Sequence, residues 1–125
     1  MTWIAVILGG AAGSAARHAV NLVFAHFTGS AMPMATATVN LIGSFAIGVL
    51  AGLLAIGRLH MSPHARTFVF VGILGGFTTF SSFMLDTLLL AQSGREGTAL
   101  ANIALQLVAG AACVWAGYHG AVALR

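Results

Sequence analysis

The sequence contains no lysine, one aspartate, one glutamate and a single cysteine among its 125 residues. Charged residues make up 6% of the chain, against roughly a quarter in an ordinary soluble domain. So few charges cannot clothe a surface in water, which excludes a soluble globular fold. The five arginines are scattered at positions 17, 58, 66, 95 and 125. The pI near 10.6 therefore reflects missing acids rather than a basic face. Nucleic-acid binding goes with it, because no basic stripe exists to follow a phosphate backbone. The lone Cys113 leaves no disulfide framework and no thiolate metal motif, and it reads as a small buried hydrophobe. His60 and His64 are four apart, but Pro63 between them argues for a solvated link rather than a metal site. No nucleophile stands beside a base, so an enzyme is the least supported class. The opening MTWIAVILGG lacks the basic segment of a secretory leader, and is expected to begin a retained membrane helix.

What is abundant is apolar. Hydrophobic residues form 59% of the chain, and its mean hydropathy is +0.99. A helix crossing a hydrocarbon core of about 30 Å needs about 20 residues. Four such stretches are expected, at about 3–25, 34–57, 66–91 and 98–122, in one domain covering residues 1–125. The separators HFTGSAMP, GRLHMSPHA and QSGREGT hold three of the seven charged residues and both prolines. Their shortness makes consecutive helices antiparallel neighbours. Glycines recur at intervals of four, as Gly9 and Gly13, Gly48 and Gly52, and Gly72 and Gly76, with Cys113 and Gly117 on the last span. In lipid such small residues let backbones approach closely. Arg58, Arg66 and Arg125 fall on one side of the membrane, and Arg95, offset by Glu96, on the other. This arginine excess is small for a rule that normally fixes orientation. Insertion both ways round is expected, and opposed copies would pair about an axis in the membrane plane.

Polar residues inside the spans are arranged, not scattered. Thr36, Asn40, Ser44, Gly48 and Gly52 form one stripe on the second span. Thr98, Asn102, Gln106 and Gly110 do the same on the fourth. A buried amide without a partner costs several kcal/mol in hydrocarbon, about 4 or more on the strictest scale, so these amides must face protein or water. Interhelical bonding alone would satisfy a single asparagine; two ladders point to a polar path. The third span carries GGFTTFSSF at 75–83, with two glycines, four hydroxyls and three phenylalanines. Gly75-Gly76 followed by Thr78-Thr79 is expected to break the helix, with threonine hydroxyls satisfying freed backbone groups. Exposed carbonyls there suit a hard cation. Phe77, Phe80 and Phe83 fall at intervals of three, a spacing that core packing also produces. Asp86 and Arg17 are ionisable residues within spans, and are functional candidates on that ground. The lining as a whole is neutral and rich in donors, and phenyl edges are positive. On these residues alone, a small anion and a neutral polar solute both remain open as cargo.

The segments GGAAGSAAR (9–17), TATVNLIGSFAIG (36–48) and GILGGFTTFSSF (72–83) closely resemble the Fluc/CrcB family of bacterial fluoride channels. The similarity runs over nearly the whole chain. It implies an all-α membrane protein, with four transmembrane helices per subunit and the third broken near its middle. It further implies an antiparallel, dual-topology homodimer in a prokaryotic cytoplasmic membrane, passing fluoride passively through two pores. Asn40 matches the pore asparagine, and Phe80 and Phe83 the two pore phenylalanines. Thr79 and Ser81 match the hydroxyl track, and Arg17 a basic residue near the vestibule. Gly75 and Thr78 match residues whose carbonyls hold a structural sodium ion, Na+, shared between subunits. Gln106 and Asn102 stand where many members have serine and tyrosine, and Gln106 is taken as a pore donor. Asp86 replaces the usual glutamate, while Met84 and Leu85 replace small residues. A small proton-coupled drug antiporter is the first rival, but it needs a membrane carboxylate that the first span lacks. A non-conducting assembly subunit is the second, and it gives no reason to place hydroxyls beside a pair of phenylalanines.

Overall fold

The computed structural model describes residues 2–29 and 33–125. Ser30, Ala31 and Met32, in the first expected link, lie outside the described residues. Helix α1 spans Thr2–Thr28 and α2 Met34–Ala55. Helix α3 covers residues 63–77, α4 covers Phe80–Gln92, and α5 covers Glu96–Val122. No strand occurs among the described residues.

The boundaries follow local chemistry. Ser62 accepts a hydrogen bond from the Ala65 N–H at 3.2 Å, and Pro63 takes the first helical position. The third span thus begins at Pro63 rather than 66, and His64 falls in its first turn. Gly94, at φ +76°, turns the chain between α4 and α5. Two stretches wind wider than an α-helix, as π-helix: Thr67–Leu74 in α3 and Leu105–Ala109 in α5. Such wide turns are uncommon and gather at functional sites.

Three stretches are long and apolar enough to cross a membrane, 34–55, 63–92 and 96–122. Helix α1 is a further helix, where four crossing spans were expected. Its 27 residues are long enough, at about 1.5 Å rise each. Arg17, His18 and three glycines, Gly9, Gly10 and Gly13, dilute its hydropathy. The apolar side chains Trp3, Ile7, Val71, Leu100, Val108 and Trp115 are exposed. That arrangement suits lipid as solvent and not water. The chain is therefore a helical, multi-pass membrane protein.

The helices are held by backbone meeting backbone. A Cβ on Gly9 would stand 2.9 Å from the Cα of Gly72, and one on Gly76 would stand 2.6 Å from the Gly10 carbonyl. These contacts bind α1 to α3, running in the same direction. A Cβ on Gly52 would meet the Tyr118 carbonyl at 2.6 Å, and one on Gly117 the Val49 N–H nitrogen at 2.9 Å. These bind α2 to α5, again in the same direction. Only glycine allows either seam. Gly52→Val is expected to destabilise the fold by about 1–3 kcal/mol through overpacking. Gly120→Ala, whose added methyl meets nothing within 4 Å, is expected to be neutral or to stabilise by up to about 1 kcal/mol. Thermal unfolding in detergent, followed by size-exclusion chromatography, checks both; equal midpoints would refute the seam.

Candidate functional site: a polar cleft at a helix interruption

Helical hydrogen bonding stops at Phe77 and resumes at Phe80. Between them Thr78 (φ −80°, ψ 158°) and Thr79 (φ −155°, ψ 121°) are extended. Gly75 and Gly76 stay helical, and Gly76 serves the seam with α1. The Thr78 N–H still reaches the Leu74 carbonyl at 3.0 Å, and its hydroxyl donates to the same carbonyl at 2.9 Å. The Thr79 N–H, which a continuous helix would direct to Gly75, donates instead to Asn40 Oδ1 at 2.8 Å. Asn40 Nδ2 returns a bond to the Thr79 carbonyl at 3.0 Å. One side-chain amide thereby pairs both polar groups of a peptide that has left the helix.

Asn40 can reach the interruption because α2 has a glycine one turn away. A Cβ on Gly43 would collide with the Thr78 methyl group. On the far side, the Thr79 hydroxyl caps α4 by accepting from the Ser82 N–H at 3.2 Å. The Ser81 and Ser82 hydroxyls lie 3.3 and 3.2 Å from it. A cluster of three hydroxyls thus sits at the start of α4, where N–H dipoles favour negative charge.

A cleft of about 380 Å³ opens beside the interruption. Its wall includes Asn40, Ser44, Gly75, Thr78, Thr79 and Gln106, with Phe70, Phe80 and Phe83. The rings of Phe80 and Phe83 meet edge to face, with centroids 5.6 Å apart and planes at 76°. Phe83 is 3% exposed and Phe80 69%. One ring of the pair is therefore fixed inside the chain while the other lies on its surface.

The fourth span joins the cleft through a second amide. Gln106 Oε1 accepts from Asn40 Nδ2 at 2.6 Å, and Gln106 Nε2 donates to Asn102 Oδ1 at 3.0 Å. Asn102 Nδ2 donates in turn to the Thr87 hydroxyl at 2.9 Å. Asn102 and Gln106 are 6% and 8% exposed, so this ladder is buried. Thr87 was not singled out in the sequence. It lies one turn after Phe83, where spacing could have placed it beside the stripe.

Of the residues singled out in the sequence, Asn40, Gly75, Thr78, Thr79, Phe80, Phe83 and Gln106 line the cleft. Ser81 touches it only through the Thr79 hydroxyl. Arg17 is not in its wall; it sits half-buried on α1, one turn beyond Gly13, which packs against Phe77. Asp86 is also elsewhere, buried beside Pro33, Leu89 and Leu90. No group of three metal-ligating side chains exists among the described residues.

A multi-pass helical membrane protein with a neutral, donor-rich cleft at an interrupted helix is the class that fold and site define. Residues 4–118 match the family described as CrcB-like protein, Camphor Resistance (CrcB). A fluoride-specific ion channel of Rhodospirillum centenum is 46% identical over 117 residues, 91% of this chain and 90% of its own. One of Opitutus terrae is 44% identical over 124 residues, 98% of this chain and 94% of its own. One of Rhodospirillum rubrum is 42% identical over 126 residues, 100% of this chain and 98% of its own. The chain belongs to the CrcB-like family.

Removing the amide of Asn40 should loosen the interruption itself. In Asn40→Leu the Thr79 N–H and carbonyl lose their partner, each an expected loss of about 1–3 kcal/mol. Amide hydrogen exchange over residues 76–82 in detergent is expected to accelerate by about tenfold or more. Unchanged exchange would mean that the peptide is held by something else.

Proposed function

We propose that the protein is a passive, fluoride-selective channel, not an enzyme. The observation that carries this reading is the Phe80–Phe83 edge pair standing beside a neutral amide and hydroxyl cluster in an open cleft. The electropositive rims of the two rings and the surrounding N–H and O–H groups can replace water around a small anion. None carries a full charge that would trap it, and conduction needs binding weak enough for release. The relatives named fluoride-specific ion channels, matched over nearly their whole length, support fluoride as that anion.

The working unit in this reading is an antiparallel, dual-topology homodimer with two pores, in a prokaryotic cytoplasmic membrane. Three features of one subunit favour a second copy: Phe80 lies on the surface, the cleft is open, and the arginine excess of either side is small. Pairing would turn each cleft into a lined passage, with Arg17 near the vestibule. The third span then acts as one helix broken at Thr78 and Thr79.

A structural sodium ion fits the same interruption. The Thr79 N–H turns to Asn40, so it no longer reaches the Gly75 carbonyl. Thr78 is extended, and its carbonyl leaves the helical ladder. Main-chain oxygens are suitable ligands for a hard cation. Gly75 and Thr78 from each of two subunits would supply four. Bound there, sodium would tie the two interruptions together without being transported.

The physiology follows from weak-acid chemistry. HF crosses lipid as a neutral molecule and ionises in the less acidic cytoplasm. A membrane potential, negative inside, drives the trapped anion out at about 2.3 kcal/mol per charge per 100 mV. No coupled proton is required. The rival drug antiporter needs a carboxylate in its transport site, whereas Asp86, buried within the third span, lies away from the cleft.

Liposomes holding the purified protein test the proposal. Rapid fluoride efflux on an ion-selective electrode, negligible chloride efflux, and a loss of about tenfold or more in Phe80→Ile are expected. Equal release of the two halides by the unaltered protein would overturn it.

A further inference from the structure

The hydrogen bonds linking the cleft to α5 run in one direction, and a backbone group sets it. The Thr79 N–H can only donate, so the Asn40 atom facing it is the acceptor Oδ1. Nδ2 is then left to donate, to the Thr79 carbonyl at 3.0 Å and to Gln106 Oε1 at 2.6 Å. With Oε1 turned to Asn40, Gln106 Nε2 faces Asn102 and donates to its Oδ1 at 3.0 Å. Asn102 Nδ2 donates to the Thr87 hydroxyl at 2.9 Å, which donates to the Phe83 carbonyl at 2.8 Å. The run starts and ends on the main chain of the third span. Each member fixes the orientation of the next, and chains of this kind strengthen cooperatively in a low dielectric.

An amide nitrogen carries two protons, and both of Asn40's are committed within the chain. One is held by the Thr79 carbonyl, which belongs to a doubly bonded pair. The other is held by Gln106 Oε1, at the end of a side chain that can rotate. An anion entering the cleft therefore finds no free proton on Asn40, and Gln106 is the partner able to withdraw. We infer that Gln106 Oε1 occupies the place of the anion in the resting cleft, and sets the acceptor strength an ion must exceed to claim the Asn40 proton. The inference rests on the reading of the cleft as a fluoride path. Fluoride is the smallest halide and the strongest hydrogen-bond acceptor among them, and it displaces the carboxamide oxygen. Chloride is larger and a weaker acceptor, and it leaves Gln106 in place. Gln106 is thus a specificity-determining residue. Asn102 and Thr87 never touch the ion; they are positioning residues that hold Gln106 with its oxygen forward.

Gln106→Met keeps the length of the side chain and removes the competing acceptor. Fluoride and chloride efflux are measured on the full chain in liposomes, over a range of concentrations. The half-saturating fluoride concentration is expected to fall about fivefold, the factor equivalent to one net hydrogen bond of about 1 kcal/mol. With fluoride saturating and chloride below saturation, the chloride-to-fluoride flux ratio is expected to rise by up to about the same factor. Thr87→Val, which leaves the cleft wall intact, is expected to move both quantities the same way by a smaller factor. A purely structural role would lower fluoride flux without admitting chloride. A conducting Gln106→Met protein whose half-saturation and halide ratio are unchanged, or whose half-saturation rises, overturns the inference. Should that variant fail to fold, the same two quantities in Thr87→Val decide it. Failure of the unaltered protein to pass fluoride would remove the underlying reading instead.

Discussion

The structure turns on one amide. In hydrocarbon, a peptide that leaves its helix must find partners for its N–H and C=O within the protein. Asn40 supplies both at Thr79, across the gap between α2 and the third span. Everything polar in the molecule's middle is arranged around that pair. It frees the Gly75 carbonyl from its helical donor and lets Thr78 extend. It also places Thr79 where its hydroxyl can start α4. Without Asn40, the interruption would leave two unsatisfied groups in an apolar surrounding and would be expected to loosen.

The glycine seams make this possible by fixing where the backbones stand. Gly43 brings α2 against Thr78, while Gly9, Gly72 and Gly76 press α1 and α3 together. Gly48, Gly52 and Gly117 do the same for α2 and α5. The result is two parallel helix pairs whose contacts have no slack. Asn40 on α2 and Gln106 on α5 belong to one of those pairs. Their 2.6 Å contact is therefore held by the same seam that packs the helices.

Much of this was legible in the sequence, for identifiable reasons. Glycines four apart announce a close contact, because no other residue permits one. The stripes carrying Asn40 and Gln106 announce inward-facing amides, because lipid tolerates nothing else. The GGFTTFSSF segment announces an interruption over residues 75–79, and the structure narrows the extended backbone to Thr78 and Thr79. Gly76 packs in the seam with α1, and the two threonines, which are β-branched and able to cap, take the extended positions. The weak apolarity of α1 lies in how Arg17, His18 and its glycines average along 27 residues. The wide turns at Thr67–Leu74 and Leu105–Ala109 have no periodic signature. Hydrogen-bond direction was hidden as well. Gln106 reads as a donor in the sequence, and only the position of the Thr79 N–H turns its oxygen toward Asn40.

The polar wall of the cleft is made of amides, hydroxyls and main-chain groups, with no acid, base or imidazole among the described residues that line it. Nothing in that wall changes its charge between acidic and alkaline surroundings. A passage so lined would behave alike in a cell bathed in acid and in one at neutrality, although the supply of HF differs greatly between them. In the proposed channel, acidity would govern how much of the ion accumulates, and leave the passage itself untouched.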